Sequence, residues 1–151
     1  MKLTSRKFSS EDVAFFQELI KSSPEWATEE CPSSDVPSYL GMYQEGNWYV
    51  WLNGSQRVGV SYYVEHAPSN NRAWIGTILV NSAHRSAGIG KAILKLITEK
   101  LKRKGHKVVY AAVPIHQNKW ISFLSSCQFE QYKLEKEDEL TYLLFVKPIE
   151  A

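Results

Sequence analysis

Two glycines in the middle of the chain offer the clearest chemistry in this sequence. Gly88 and Gly90 lie between an apolar run that ends at Val80 and an amphipathic stretch that begins at Ile89. The first N–H groups of a helix have no intrahelical acceptor, and the helix dipole adds partial positive charge there. Glycines leave these N–H groups uncovered. The pattern therefore predicts an anion site suited to two adjacent phosphates, as in a diphosphate.

Two well-known phosphate loops are excluded by their spacing. A Walker loop requires a glycine where Arg85 stands and a serine or threonine where Ala92 stands. A dinucleotide fingerprint requires a third glycine at the position of Ile93. Two simpler alternatives stay open: the glycines only shape a strand-to-helix turn, and Arg85 is a solvated loop residue.

The spacing that fits is R-x-x-G-x-G, from Arg85 to Gly90. Here the sequence resembles the GNAT superfamily of N-acetyltransferases, whose Q/R-x-x-G-x-G/A motif follows the fourth strand and opens the third helix. Val80 and Ala92 match the family at the two ends of the motif. The length of the chain and the order of its predicted elements agree over essentially the whole sequence.

The resemblance implies acetyl-coenzyme A as the acetyl donor and direct attack by an amine, without an acyl-enzyme. A backbone N–H near Leu79 or Val80 would polarise the thioester carbonyl, as oxyanion donors do. The residues implied to contact coenzyme A are Leu79, Val80, Arg85, Ser86, Ala87, Gly88, Ile89, Gly90, Lys91 and Asn118.

A general base is expected because an amine attacks only when it is neutral. Some members of the family carry a glutamate early in the fourth strand, but Trp74 occupies that position here. Glu65, at the end of the preceding strand, is the predicted substitute. The alternative is that Glu65 is an ordinary solvated carboxylate.

The usual acid of the family, a tyrosine that protonates the leaving thiolate, is missing. Alignment on Phe129 puts Leu124 at its position. Ser125, Cys127 or Tyr132 are the candidate replacements, or the thiolate leaves unassisted, since a thiol has a pKa of about 8.5. As a nucleophile Cys127 has no basic partner in sequence, and we expect an inert thiol.

No metal is predicted. Cys31 and Cys127 lie in neither a C-x-x-C motif nor a Cys/His cluster. Three histidines lie in predicted loops or at strand ends, where they can titrate near neutral pH, and we expect them to be incidental. They are His66, His84 and His116.

The resemblance implies that the first two helices, their loop and the last strands form the acceptor site. Carboxylates beside aromatic rings suit a cationic amine. The alternative is that the rings belong to the core and the acids are solvated. The residues in question are Trp26, Glu29, Glu30, Asp35, Tyr39, Tyr43, Trp48, Tyr49 and Trp51.

The elements that would position these groups follow an α+β order, β-α-(α)-β-β-β-α-β-α-β-β, predicting a GNAT-like fold. The expected mixed central sheet has about seven strands and about four flanking helices, all in one domain over residues 1–151. Ala73 to Val80 is apolar nearly throughout, which predicts a central strand. Asn53-Gly54 predicts a hairpin turn, and Gly105 predicts the end of the long helix. The other strands are predicted at 48–52, 57–65, 107–113, 129–135 and 140–147, and the other helices at 10–21, 38–44 and 118–126.

Composition limits the function further. A net charge of +2 is too small to indicate nucleic acid or an acidic membrane surface. The polar stretch Met1–Ser10 has no apolar signal core, and no run is long enough to span a membrane, so we expect a cytoplasmic protein. The resemblance is compatible with a homodimer. Two rivals remain: an acyl-coenzyme A sensor without turnover, and a nucleic-acid binder that uses the basic helix end at Lys100–Lys104.

Overall fold

The computed structural model describes residues 2–23, 36–42, 46–81 and 88–149 of the chain. Its strands are β1 Leu3–Lys7, β2 Asn47–Asn53, β3 Gln56–Val64, β4 Ala73–Val80, β5 Val108–Pro114, β6 Glu130–Glu137 and β7 Leu140–Pro148. Within the same residues the α-helices are α1 Val13–Lys21, α2 Val36–Met42, α3 Ile89–Arg103 and α4 Asn118–Ser126, and a 3₁₀ turn, Ser10–Asp12, precedes α1. None of these helices has both the length and the apolar character needed to cross a bilayer.

The strands form one seven-stranded mixed sheet in the order β1-β2-β3-β4-β5-β7-β6. β4 and β5 pair in parallel from Ala73–Val109 to Ile75–Ala111, as a strand-helix-strand crossover requires. Hairpin neighbours such as β2 and β3, or β6 and β7, are antiparallel. The predicted α+β architecture is confirmed. So is the central position of β4, since it is buried over most of its length.

The chain divides into two compact units, and the first contains Met1–Tyr63 and Thr77–Lys95. Its core joins helix α1 to β3 and β4 through buried side chains that include Phe16, Ile20, Val60 and Leu79. α1 is amphipathic, and its apolar face supplies Phe16, Leu19 and Ile20 to this core.

Asp12 anchors the start of α1 to the sheet of this unit. Its side chain is fully buried, and it accepts two hydrogen bonds from the Arg6 guanidinium, each 2.8 Å long. Arg57 Nε donates a further bond of 2.9 Å, and so does the Ser9 backbone N–H. Arg6 lies on β1 and Arg57 on β3, so a single carboxylate fixes the 3₁₀ turn against two strands.

The second compact unit contains Val64–Gly76 and Leu96–Ala151. Its core is built from β5, β7, the second half of α3 and α4, with Leu101, Val109, Leu124 and Phe145 fully buried. The prediction of one domain over residues 1–151 stays a prediction.

Helix α3 ends as its sequence indicates. Gly105 has a φ of +94°, which favours glycine, and its N–H donates to Lys102 O at 3.0 Å. His106 N–H donates to Leu101 O, also at 3.0 Å, completing a Schellman motif. The basic side chains of the last turn, Lys100, Lys102 and Arg103, interact favourably with the negative end of the helix dipole. This interaction is a structural explanation for the basic cluster.

The other local predictions are confirmed with small shifts. The Asn53-Gly54 turn joins β2 to β3, with Gly54 at a φ of +64°. The predicted helix at 38–44 is α2, which begins earlier than the sequence pattern indicates, at Val36. The sequence predicts a first strand but not its bounds, because both faces of β1 carry polar side chains and show no apolar alternation.

Candidate functional site

The glycine motif leads directly into helix α3. The helix begins at Ile89, and Ala92 N–H makes a 3.1 Å hydrogen bond to Gly88 O. The N–H groups of residues 89–91 precede this bond, so α3 itself offers them no acceptor. Gly88 is exposed at a φ of +77°, and a Cβ built on it would meet nothing within 4 Å. Among the described residues, the helix start therefore combines amides that have no helical acceptor with an exposed glycine.

Strand β3 holds the end of β4 and the front of α3 in place. A Cβ on Gly59 would lie 2.9 Å from Leu79 O and 3.1 Å from Ile93 Cδ1, so glycine permits this close packing. Asn81 N–H donates to Val58 O at 2.8 Å, directly after β4 ends. The strand end and the helix start are thus positioned by one neighbouring strand.

The predicted coenzyme A contacts fall into three groups. Six of them lie together in the first compact unit: Leu79, Val80, Gly88, Ile89, Gly90 and Lys91. Arg85, Ser86 and Ala87 lie outside the described residues. Asn118 belongs to the second unit, where it is the exposed first residue of α4.

Glu65, the predicted base, follows β3 in an ion-paired setting. Its Oε2 accepts a 2.8 Å bond from Lys104 Nζ, and its Oε1 lies 3.1 Å from His106 Nε2. The hydrogen bond from Lys104 lowers the pKa of Glu65 against the opposing effect of burial, and His106 adds to the lowering. The carboxylate therefore stays ionised, as a base must, although a lower pKa makes it a weaker proton acceptor.

Sequence reasoning did not include His106. The signal was present in the Gly105 cap, because a Schellman turn reverses the chain immediately before His106. Of the three histidines that the sequence singled out, His66 follows Glu65 and its ring lies 5.3 Å from the His106 ring, centroid to centroid. His116 is exposed before α4, and His84 lies outside the described residues.

The candidate acids differ in burial and in whether their side chains carry a proton that can be donated. Leu124, at the family's tyrosine position, is fully buried and has no proton to give. Tyr132 is 45% exposed, and partial burial raises the pKa of its hydroxyl, helped by Tyr110 and Glu135. Cys127 is a half-buried free thiol, and Ser125 is exposed on α4. Trp74, at the family's glutamate position, stacks on Tyr110 with the ring centroids 5.1 Å apart.

Of the acceptor-site aromatics among the described residues, Tyr39 and Trp51 are buried, whereas Trp48 and Tyr49 are half-buried. Tyr39 is buried, and its ring meets those of Phe16 and Trp48 edge-on. Trp51 is buried and donates from Nε1 to Ser61 Oγ at 2.8 Å, and Tyr49 stacks on Tyr63. The remaining predicted acceptor residues, Trp26, Glu29, Glu30, Asp35 and Tyr43, lie outside the described residues.

With this fold and this helix start, the class of protein can be stated. The family model of the acetyltransferase (GNAT) family matches residues 13–129, so the chain belongs to that family. It is 38% identical over 136 residues to the uncharacterized protein YkzC of Bacillus subtilis (strain 168), covering 88% of this chain and 95% of that protein.

Solved structures share the fold at low identity. An acetyltransferase from Thermus thermophilus aligns with a TM-score of 0.79 at 20% identity, over 98% of this chain and 97% of that chain. The spermidine/spermine N-acetyltransferase SpeG of Vibrio cholerae aligns with a TM-score of 0.71 at 15% identity, over 98% and 93% of the two chains. At these identities the likeness concerns the fold alone.

Proposed function

We propose that this chain transfers an acetyl group from acetyl-coenzyme A to an amine. Membership of the acetyltransferase family supports an acyl transfer. The single observation that carries the proposal is the helix start, where α3 offers no acceptor to the N–H groups of residues 89–91 and a Cβ on the exposed Gly88 would meet nothing within 4 Å. Amides at a helix start bind phosphates well.

The diphosphate would be held by the backbone of residues 85–91, with Arg85, Ser86, Ala87 and Lys91 at its edges. Leu79 and Val80 would contact the acyl arm, and a backbone N–H of one of them would stabilise the developing oxyanion. Asn118 stays a predicted contact. When bound, acetyl-coenzyme A supplies the activated thioester, and the chain supplies orientation, an oxyanion donor and a base.

The acceptor is proposed only as an amine, on a small molecule or on a peptide. The fold neighbour SpeG is a spermidine/spermine N-acetyltransferase, which favours an amine acceptor for this chain too. Tyr39 and Trp51 are buried in the core, so they do not favour one amine over another. Cytoplasmic location, absence of nucleic-acid partners and a homodimeric state stay predictions.

The direct test separates binding from turnover. Calorimetric titration with coenzyme A should give one site per chain, because the glycine-opened start of α3 provides one such site. Release of free thiol from acetyl-coenzyme A should then rise with one class in a panel of polyamines, amino acids, aminoglycosides and peptide N-termini. No binding of coenzyme A would contradict the proposed function.

The base is tested by Glu65→Gln, assayed with a chelator present. If Glu65 accepts the proton of the amine, kcat should fall about 100-fold, within the usual range for a general base, while affinity for coenzyme A is unchanged. Glu135→Gln is the matched control, since this exposed carboxylate pairs only loosely with Lys133, at 3.8 Å. An unchanged kcat would remove Glu65 from the mechanism.

A non-catalytic sensor of acyl-coenzyme A is the second candidate. It is favoured by the buried Leu124 at the acid position and by the ion pairs that occupy Glu65. A sensor would bind acetyl-coenzyme A tightly and release no thiol with any amine of the panel. Enzyme and sensor thus share the binding prediction and differ in the second measurement.

A further inference from the structure

A histidine- and carboxylate-rich cluster lies in the second compact unit. Glu65 and His66 follow β3 directly, and His106 follows the Gly105 cap of α3. One potential ligand atom from each of these three residues lies within 4.8 Å of the other two. We propose that this Glu65–His66–His106 cluster binds a divalent transition-metal ion of the zinc class.

The spacing of the ligand atoms fits such an ion. Glu65 Oε1 and His106 Nε2 are 3.1 Å apart. Ligand atoms about 2.0–2.1 Å from a tetrahedral zinc ion lie roughly 3.3 Å from each other, so this pair needs almost no movement. The ion would take the place of the direct contact between these two atoms. His66 is exposed, so its ring can rotate to close the remaining distance.

The surroundings orient the ligands. Lys104 Nζ donates to Glu65 Oε2 at 2.8 Å, which fixes the plane of the carboxylate and leaves Oε1 directed at His106. Outer hydrogen bonds of this kind position metal ligands in proteins. The Schellman motif holds Lys104 and His106 on either side of Gly105, so both reach the same carboxylate.

The donor set selects the kind of ion. Two imidazoles and one carboxylate suit zinc, cobalt or nickel, whereas magnesium and calcium prefer shells made of oxygen. A cavity of about 510 Å³, lined by residues 70–72 and 105–108, includes His106 in its wall. Three protein ligands leave a fourth position for water.

This inference stands apart from acetyl transfer. A bound ion would occupy the Glu65 lone pairs that a general base needs, so Glu65 could not fill both roles at once. Metal binding is measured on the free protein, without coenzyme A, whose thiol itself binds zinc. A chain that binds zinc but no coenzyme A would refute the proposed function alone.

The experiment is a calorimetric titration of the chelator-treated full chain with Zn²⁺, repeated with Co²⁺ while visible absorption is recorded. We expect one ion per chain and the intense d–d absorption of tetrahedral cobalt. His66→Ala and His106→Ala should each weaken binding at least about tenfold, and Mg²⁺ should not compete. His116→Ala, which removes an exposed histidine elsewhere, should bind as the wild type does.

Absence of Zn²⁺ binding, or wild-type affinity in the double variant His66→Ala/His106→Ala, would overturn the proposal. Circular dichroism of every variant checks that the fold is intact. Should His106→Ala unfold, the exposed His66 provides the decisive comparison, because substitutions of exposed side chains usually cost little stability.

Discussion

Replacement of Gly88 by glutamate should lower the affinity for coenzyme A at least about 100-fold, which corresponds to roughly 2.7 kcal/mol. Gly88 directly precedes α3, and its Cβ direction opens into free space, so a new carboxylate would lie where we place the diphosphate. Like charges repel there, and the side chain would cover the helix amides. Gly90→Glu, in the first turn of α3, should act the same way. Calorimetric titration with coenzyme A measures both.

The control for this prediction is Gly54→Glu. Gly54 also has a positive φ, +64°, and a Cβ built on it would also meet nothing within 4 Å, but it lies in the β2–β3 turn. Gly88→Glu and Gly54→Glu both carry a backbone penalty of roughly 1–2 kcal/mol for a non-glycine residue in the left-handed region. Only the variants at Gly88 and Gly90 should lose coenzyme A binding. Equal affinity for coenzyme A in all three variants would show that coenzyme A does not bind at the helix start.

Replacement of Asp12 by alanine should lower the free energy of unfolding by about 2–3 kcal/mol. The change removes a fully buried carboxylate that holds Arg6, Arg57 and the Ser9 N–H together. The cost stays below that of a fully buried pair because both arginine side chains are more than a third exposed and regain water. Chemical denaturation measures the loss.

Glu11→Ala is the matched control for Asp12, since Glu11 is the adjacent acid and is exposed. We expect its free energy of unfolding to stay within about 0.5 kcal/mol of the wild type. A loss as large as that of Asp12→Ala would mean that charge near the start of α1, and not the buried network, carries the stability.

The Asp12 network also gives stability a pH dependence. Burial opposes ionisation, but the hydrogen bonds from Arg6, Ser9 and Arg57 outweigh it and hold the pKa of Asp12 well below its usual range. The folded state therefore binds this proton less readily than the unfolded state, whose aspartate has a pKa of about 3.9. The network contributes fully above that pH and is lost as the pH falls towards the folded pKa. Asp12→Asn should lack this component, so its deficit against the wild type should shrink on acidification, as denaturation at a series of pH values would measure.

Local patterns were sufficient for most of the fold. The apolar run of β4 predicts its central position, because a strand covered on both faces cannot alternate. Gly54 and Gly105 predict a turn and a helix end, because each position needs a positive φ. Gly88 and Gly90 likewise mark the start of α3. These features depend on neighbours in sequence, which is why a single chain reveals them.

Contacts between distant residues were not predictable in the same way. No local pattern indicated the partners of Asp12, because Arg6 and Arg57 come from two strands. Tyr39 and Trp48 were as compatible with an acceptor site as with a core, and only the tertiary structure shows that Tyr39 is buried and that both rings pack against Phe16. Composition cannot distinguish these alternatives, because the same side chain suits both.

The sequence by itself determined the family motif, the order of the elements and the glycine-opened start of α3, because each is encoded within a few consecutive residues. The tertiary structure alone decided the surroundings of Glu65. Lys104 and His106 follow Glu65 by about 40 positions in the sequence. They contact it only because the fold places the end of α3 beside the end of β3. Long-range contacts of this kind depend on the whole fold, because two residues that are far apart in sequence leave no local pattern that indicates their contact.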